Sequence, residues 1–155
     1  MVAGHCTIRR LMENDKAPYH LLLLADPSRQ AVDEYLQRGI CYLASYKNEI
    51  IGVYILLRTR PFTMEVVNLA VKEEFQGKGI GKKLLLDALY KARDYEVKTL
   101  ELGTGNSSLR QLGLYQKCGF RIVGVDKDFF VKHYNDVIIE NGIRCIDMIR
   151  LRINL

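Results

Sequence analysis

The sequence predicts one mixed α/β domain over residues 1–155, with a sheet of six to seven strands flanked by about four helices. Two observations predict this fold class. Short β-rich runs recur along the chain, and segments with the apolar spacing of buried helix faces stand between them. The length allows one sizeable core and is too short for two ordinary domains.

The N-terminal part is predicted to place two short helices before most of the sheet. After a first strand at residues 5–9, Asn14 or Asp15 can cap a helix that an Asp-Pro pair stops. Ser28 is a suitable N-cap for the second helix, and Gly39 can end it.

Three strands follow these helices. Residues 40–46 and 50–58 are β-rich runs on either side of a short polar turn, which predicts an antiparallel hairpin. Residues 63–72, after an Arg-Pro pair, supply the next strand.

A glycine-rich loop leads from that strand into an amphipathic helix. Residues 76–83 are Gln-Gly-Lys-Gly-Ile-Gly-Lys-Lys, and apolar residues then keep helical spacing up to Ala92. The first turn of a helix leaves its N–H groups unpaired at the positive end of the macrodipole, and glycine leaves room for an anion. Lys78, Lys82 and Lys83 add positive charge, so the loop predicts a site for a phosphate-bearing ligand.

The C-terminal part is predicted to add three strands and one helix. The strands cover residues 99–103, 120–125 and 143–151, and the helix covers residues 107–118. Residues 126–142 are the least regular stretch and include Phe129, Phe130, His133, Tyr134 and Glu140. Such a stretch fits an acceptor-binding wall, and it fits equally well rings that pack under the loop or at a subunit interface.

Two common glycine motifs do not fit the loop. The dinucleotide fingerprint needs glycine where Lys82 stands, and a Walker A loop needs four residues between its glycines where Gly77 and Gly81 enclose three. The remaining pattern is Gln-x-x-Gly-x-Gly after a strand that ends in Leu-Ala-Val. This pattern resembles the acyl-CoA pyrophosphate loop of the GNAT family of N-acetyltransferases.

A second motif strengthens the resemblance. Residues 114–120, Leu-Tyr-Gln-Lys-Cys-Gly-Phe, look like the Leu-Tyr-x-x-x-Gly-Phe signature that follows the loop in the same family. The resemblance covers roughly residues 40–125. It implies a GNAT fold with a central mixed, mostly antiparallel sheet. It also implies transfer of an acetyl group from acetyl-CoA to a primary amine, by direct attack in a ternary complex.

The resemblance implies acetyl-CoA as the acyl donor and no metal. The loop amides would bind the pyrophosphate, and the pantetheine would follow the edge of a strand that splays from its neighbour, as a β-bulge near Asn68 would allow. Ser108 stands where relatives usually carry an asparagine, and Asn106 can supply that contact or only cap a helix. The implied cofactor-binding residues are Leu69, Ala70, Val71, Gln76, Gly77, Lys78, Gly79, Ile80, Gly81, Lys82, Asn106, Ser108 and Tyr115.

Three residues are candidates for proton transfer. Tyr115 matches the usual general acid of the family, because a phenol with a pKa near ~10 can protonate a leaving thiolate; a core aromatic is the alternative. Glu65 and Glu101 are candidate general bases, acting directly or through an ordered water, if burial raises the pKa of either carboxyl. The alternative for both is an exposed glutamate on a strand.

The acceptor is expected to be an amine-bearing small molecule or peptide. The acidic residues Asp126, Asp128, Asp136 and Glu140 slightly favour a cationic acceptor. A homodimer stays open, since such domains often dimerise. A non-catalytic sensor that binds acetyl-CoA or CoA is the alternative function, although the intact Tyr115 favours catalysis.

Composition argues against several other classes. The four cysteines are dispersed and no histidine stands at metal-ligand spacing, so reduced thiols and no metal are expected. The net charge of +5 is scattered without interleaved aromatics, so no nucleic-acid partner is expected. No membrane-crossing or secretory segment is evident, which gives no membrane partner and a cytoplasmic protein as the default.

Overall fold

The computed structural model describes residues 1–155 and confirms the mixed α/β fold. The helices are α1 (Val2–His5), α2 (Tyr19–Ala25), α3 (Arg29–Arg38), α4 (Ile80–Asp94), α5 (Leu109–Lys117) and α6 (Phe129–His133). The strands are β1 (Thr7–Arg10), β2 (Ile40–Tyr46), β3 (Glu49–Arg60), β4 (Thr63–Val71), β5 (Thr99–Gly105), β6 (Arg121–Asp126), β7 (Ile139–Glu140), β8 (Ile143–Arg144) and β9 (Met148–Asn154).

Seven of these strands form one sheet in the order β1-β2-β3-β4-β5-β9-β6, and β7 pairs with β8 separately. The neighbours β4 and β5 are parallel, whereas the other neighbours in the large sheet are antiparallel. The helix α4 connects β4 to β5, as a parallel pair requires a crossover. The predicted mostly antiparallel sheet is therefore confirmed.

Two apolar cores lie on opposite faces of the sheet. Tyr54 and Leu56 of β3 belong to the larger core with α4, whereas Val53 and Ile55 belong to the smaller core with α2 and α3. This division follows from the alternation of side chains along a strand. Fully burying one large aliphatic side chain contributes about 1.5–3 kcal/mol, so both helical layers stabilise β3 strongly.

The predicted hairpin between β2 and β3 is present, with a tighter turn than expected. Lys47 and Asn48 both have positive φ, 50° and 64°. A two-residue hairpin turn with two positive φ values matches the twist of the flanking strands, and asparagine tolerates that conformation.

The predicted start of the first long helix was wrong. Its N-cap is Pro18, whereas Asn14 and Asp15 lie before the helix. The Asp15 carboxylate instead accepts a hydrogen bond from the Met12 amide at 2.7 Å and pairs with Arg9 at 2.7 Å. Because the residue before a proline avoids helical backbone angles, the helix begins only at Tyr19.

The predicted strand at residues 143–151 is confirmed only in its second half, where β9 joins the large sheet. The chain forms the short β8, leaves the ladder, and then forms β9 between β5 and β6. The Asn106 side-chain oxygen accepts hydrogen bonds from the amides of Ile146 and Asp147 at 2.8 and 3.0 Å, so these amides are not available to a sheet. The irregular stretch at residues 126–142 contains α6 and β7, and β7 pairs with β8 just after it.

No helix is both long and apolar enough to cross a membrane. The four cysteines are free thiols.

Candidate active site

The parallel strands β4 and β5 separate partway along their length. They pair from Thr63 to Val66 with Thr99 to Leu102, and beyond that point β4 pairs only with β3 while β5 pairs only with β9. The register of β4 on β3 shifts at Val67, between the partners Val66 and Asn68. A bulge bends a strand and re-aims it, so this extra residue opens a cleft at the centre of the sheet.

The bulge also fixes which β4 residues face which side. Cross-strand partners share a face, so Asn68 opposite Ile55 lies on the α2 side. The Asn68 amide nitrogen donates to the Leu22 carbonyl of α2 at 3.0 Å, which holds that helix against the splayed strand. The Asn68 side-chain oxygen is buried and has no hydrogen-bond partner.

The glycine-rich loop follows β4 directly and opens α4. Gly77 and Gly79 have φ values of +76° and +85°, which favour glycine, and Gly79 is the N-cap of α4. The first helical hydrogen bond runs from the Lys83 amide to the Gly79 carbonyl at 3.1 Å, so the amides of residues 80–82 have no helical partner. The loop therefore offers main-chain donors to an anion.

A cavity of about 430 Å³ joins the loop to the edge of β4. Of the predicted cofactor residues, it is lined by Leu69, Ala70, Val71, Gln76, Gly77, Gly79, Gly81, Lys82 and Tyr115. The Gln76 side chain donates to the Val71 carbonyl at 3.0 Å and ties the loop to the strand end. Nine residues predicted from two separate motifs thus meet at one cavity.

Tyr115 is buried, 7% exposed, on α5 beside this cavity. Its ring is 6.4 Å from the ring of Phe120, which accounts for part of its packing. Its hydroxyl has no hydrogen-bond partner in the chain, and burial raises the pKa of Tyr115 to about 12. The phenol is therefore protonated at neutral pH and available to a ligand.

Several predicted cofactor residues do not line the cavity. Ile80 is buried in the larger apolar core beneath α4, and Lys78 is exposed on the loop. Asn106 uses its side chain on main-chain groups of Arg144, Ile146 and Asp147, so it is neither at the cavity nor a helix cap. Ser108 precedes α5 and donates to Glu140 at 3.1 Å.

Lys83, which was expected to add positive charge at the loop, binds main-chain groups of the N-terminal segment. Its ammonium donates to the main-chain carbonyls of Ala3, at 2.7 Å, and Cys6. It therefore fixes the N-terminal segment to α4 rather than lying free at the loop.

Some cavity residues were not predicted from the sequence. Arg110 and Gln111 in the first turns of α5 line the cavity, and an Arg110 guanidinium nitrogen lies 3.5 Å from the Cβ position that Gly77 lacks. The main sequence signal for Arg110 was its place near the start of the helix that carries Tyr115. From the irregular stretch, Glu140 and Asn141 line the cavity, whereas no residue of α6 does.

A second cavity, of about 590 Å³, lies where β4, β5, β6 and β9 come together. Both candidate bases line it, because Glu65 and Glu101 are partners on the parallel strands. Glu101 is paired with Arg60 at 2.5 Å and with Arg152 at 3.0 Å, whereas Glu65 has no ion pair. Burial raises the pKa of the Glu65 carboxyl, and nearby Arg150 partly opposes this rise.

Comparison with known proteins agrees with this geometry. Residues 8–120 match the sequence profile of the acetyltransferase (GNAT) family. The uncharacterized N-acetyltransferase YvbK of Bacillus subtilis is 59% identical over 143 residues, which are 92% of each chain. A solved GNAT family acetyltransferase from Elizabethkingia anophelis with acetyl-CoA bound is 50% identical, with a TM-score of 0.96 over 97% of this chain and 99% of that chain. An IAA acetyltransferase from Bacillus cereus is 56% identical, with a TM-score of 0.94 over the same shares. This chain therefore belongs to the GNAT family of acetyltransferases.

Proposed function

We propose that this protein transfers the acetyl group of acetyl-CoA directly to a primary amine of a small molecule or peptide, in a ternary complex. The observation that carries the proposal is that one cavity joins the glycine loop, the free edge of β4 and Tyr115. The bound acetyl-CoA of the Elizabethkingia anophelis relative supports the same cosubstrate here. No metal takes part in this mechanism.

The donor is held by the loop and the strand. Its pyrophosphate binds the unpaired amides at the start of α4, with Lys82 and Arg110 supplying positive charge. Its pantetheine amides pair with the main chain of residues 69–71 as an added strand would. The thioester then lies in the cleft between β4 and β5, beside the Tyr115 hydroxyl.

The reaction exchanges one bond for another. The amine nitrogen attacks the thioester carbon, a C–N bond forms, and the C–S bond breaks with its electron pair left on sulfur. Tyr115 donates its proton to that sulfur. Its raised pKa of about 12 keeps the hydroxyl protonated at neutral pH, so the proton is present when the sulfur gains charge. The proton released by the amine goes to Glu65.

Glu65 suits the base role better than Glu101. Its carboxylate is not ion-paired, and burial raises its pKa towards the range in which a base works well at neutral pH. Glu65 precedes Leu69 by four residues, roughly 13 Å of extended chain, so the proton passes through ordered water. Glu101 instead holds Arg60 and Arg152 in place.

Replacing Tyr115 by Phe tests the mechanism. Without the hydroxyl, kcat should fall by ~10² or more, while the Kd of acetyl-CoA changes little because the ring still packs. Release of free thiol with a panel of amines measures turnover, and calorimetry measures binding. Tyr90→Phe is the matched control, because Tyr90 is 63% exposed on α4 and should keep full turnover.

Two outcomes would count against the proposal. Unchanged turnover in Tyr115→Phe would remove the acid role. Tight acetyl-CoA binding by the parent protein without turnover of any amine would favour a sensor instead. We further propose a cytoplasmic location, which the four unpaired thiols support.

A further inference from the structure

The second cavity is lined by charged residues of both signs from neighbouring strands. Three are cationic and three are acidic: Arg60, Arg150, Arg152, Glu65, Glu101 and Asp126. The strand register sets most of them in rows. Glu65 faces Glu101, and Glu101 faces Arg152 of β9. Arg150 is the partner of Gly103, which lies just past Leu102, the last β5 residue paired with β4.

The arginines of this cavity are not equally engaged. Arg60 and Arg152 share the Glu101 carboxylate, at 2.5 and 3.0 Å. Arg150 makes one contact of 3.5 Å with Asp126, and both side chains are almost half exposed, at 43% and 49%. A guanidinium carries five N–H donors in a planar fork, so most of the donors of Arg150 are free.

The acidic residues are also unequally engaged. Glu101 is neutralised by two arginines, and Asp126 makes one contact of 3.5 Å with Arg150. Glu140, which lines the first cavity, accepts from the hydroxyls of Ser107 and Ser108 at 3.3 and 3.1 Å. Glu65 is left without an ion pair, on the same side of the sheet as Arg150. In the second cavity, Glu65 is therefore the carboxylate without an ion pair, and Arg150 is the arginine with only one long contact, to Asp126 at 3.5 Å.

We propose that the acceptor is an amine that also carries a carboxylate, as a free amino acid does, and that Arg150 binds this carboxylate while the amine faces Glu65. This inference rests on the proposed acetyl transfer and names its substrate class. The bond changes are those already given, with the amine proton passing to Glu65 and the carboxylate unchanged. It replaces the cationic acceptor suggested by the acidic residues of the sequence.

Planar geometry supports Arg150 in this role. A guanidinium binds a carboxylate through two parallel hydrogen bonds, which fixes the orientation of the ligand as well as its position. The Arg150 guanidinium lies 5.9 Å from the centre of the Phe129 ring, which borders it on the α6 side. A hydrogen bond between charged groups contributes about 1.5–3 kcal/mol, which corresponds to roughly 10-fold to 100-fold in specificity.

Matched acceptors test the inference. Phenylalanine, phenylalaninamide and phenethylamine share a side chain and differ at the carboxylate. The parent protein should show a kcat/KM for phenylalanine ~10-fold to 100-fold above the other two. Arg150→Gln should abolish this preference, mainly through a higher KM for phenylalanine. Arg150→Lys should keep part of it, because lysine keeps the charge without the fork.

Arg121→Gln is the matched control. Arg121 is the partner of Arg152 on β6, so it lies on the same side of the sheet, yet it is exposed and outside the cavity. The preference for the carboxylate should survive this change. Loss of preference in both variants would indicate a general charge effect and overturn the assignment to Arg150.

Binding separates this inference from the proposed function. Calorimetry on the CoA-saturated protein measures the three ligands without turnover. Tighter binding of phenylalanine that Arg150→Gln removes would support the inference even if no amine were acetylated. Equal binding of all three, or faster acetylation of phenethylamine, would overturn it while leaving acetyl transfer intact.

Discussion

The two arms of the central sheet differ in how they are covered. The N-terminal arm, β1 to β4, has α4 on one face and α2 and α3 on the other. The C-terminal arm, β5, β9 and β6, packs one face on the larger core and leaves the other open to the charged cavity. The arms meet at the bulge in β4. One arm therefore supplies stability, and the junction with the other supplies the site.

The difference shows why the charged residues are tolerated. On the N-terminal arm, positions facing α2 hold Leu43, Val53 and Ile55, which are almost fully buried. On the C-terminal arm, the corresponding face carries Glu101, Arg150 and Arg152, which keep contact with water. Charged groups can remain there because no helix removes their hydration.

The largest expected effect is on the covered arm. Leu22→Ala should lower the free energy of unfolding by about 2–5 kcal/mol, because Leu22 is fully buried between α2 and the sheet and its loss leaves a cavity. Urea unfolding followed by circular dichroism measures it. Ile122→Ala on β6, where the side chain is 51% exposed, should change stability by under about 0.5 kcal/mol. Similar losses of unfolding free energy in the two variants would contradict the view that only the N-terminal arm is tightly packed on both faces.

The next effect concerns the junction of the arms. Glu65→Gln should lower kcat/KM by ~10² and remove the low-pH limb of the activity profile, because the amide cannot accept the amine proton. The raised pKa of Glu65 sets that limb in the parent protein. Glu101→Gln is the control and should keep the limb. A limb that persists in Glu65→Gln and vanishes in Glu101→Gln would reverse the assignment.

Glu65 also links stability to pH. Burial raises its folded-state pKa above the usual value of 4.5, so the unfolded carboxyl loses its proton at lower pH than the folded one. The stabilising contribution is complete below the unfolded pKa and is lost as pH rises through the folded pKa. Glu65→Gln should therefore gain stability relative to the parent as pH rises through this window, which denaturation at several pH values can measure.

A smaller effect is expected at the loop that the covered arm leads into. Gly79→Val forces a β-branched residue to φ +85°, a strain of about 1–3 kcal/mol, and should weaken acetyl-CoA binding ~10-fold or more. Gly113→Ala on α5 is the control, since nothing lies within 4 Å of the added methyl group. It should stabilise the helix slightly and leave the Kd unchanged. Equal Kd values for the parent and Gly79→Val would argue against the loop as the phosphate site.

The smallest effect lies on the open arm itself. Glu101→Gln should lower the free energy of unfolding by about 1 kcal/mol or less, because its partners Arg60 and Arg152 are 59% and 42% exposed and screened by solvent. The loss should shrink as salt is added, because the parent loses the screened attraction. A salt-independent loss of several kcal/mol would mean that this arm is buried after all.

Local sequence carried much of the site. The loop glycines and Tyr115 belong to motifs whose spacing is readable along the chain, and the structure places them at one cavity. The bulge at Val67 was expected only from the resemblance, because valine is equally common in a regular strand and its residue type does not signal a bulge. The start of α2 was mispredicted because the Asp15 carboxylate forms an ion pair with Arg9 and does not cap the helix.

What the sequence determined by itself was most of the strands of the large sheet and its longer helices, through apolar periodicity and through glycines that permit positive φ, whereas α1, α6 and β7 were not predicted. Only the tertiary structure separated Glu65 from Glu101. Both are glutamates on strands, and the arginines that engage one of them lie 41 and 51 residues away along the chain. The strength of a charge interaction depends on distance in space and on access to water, which chain order does not encode.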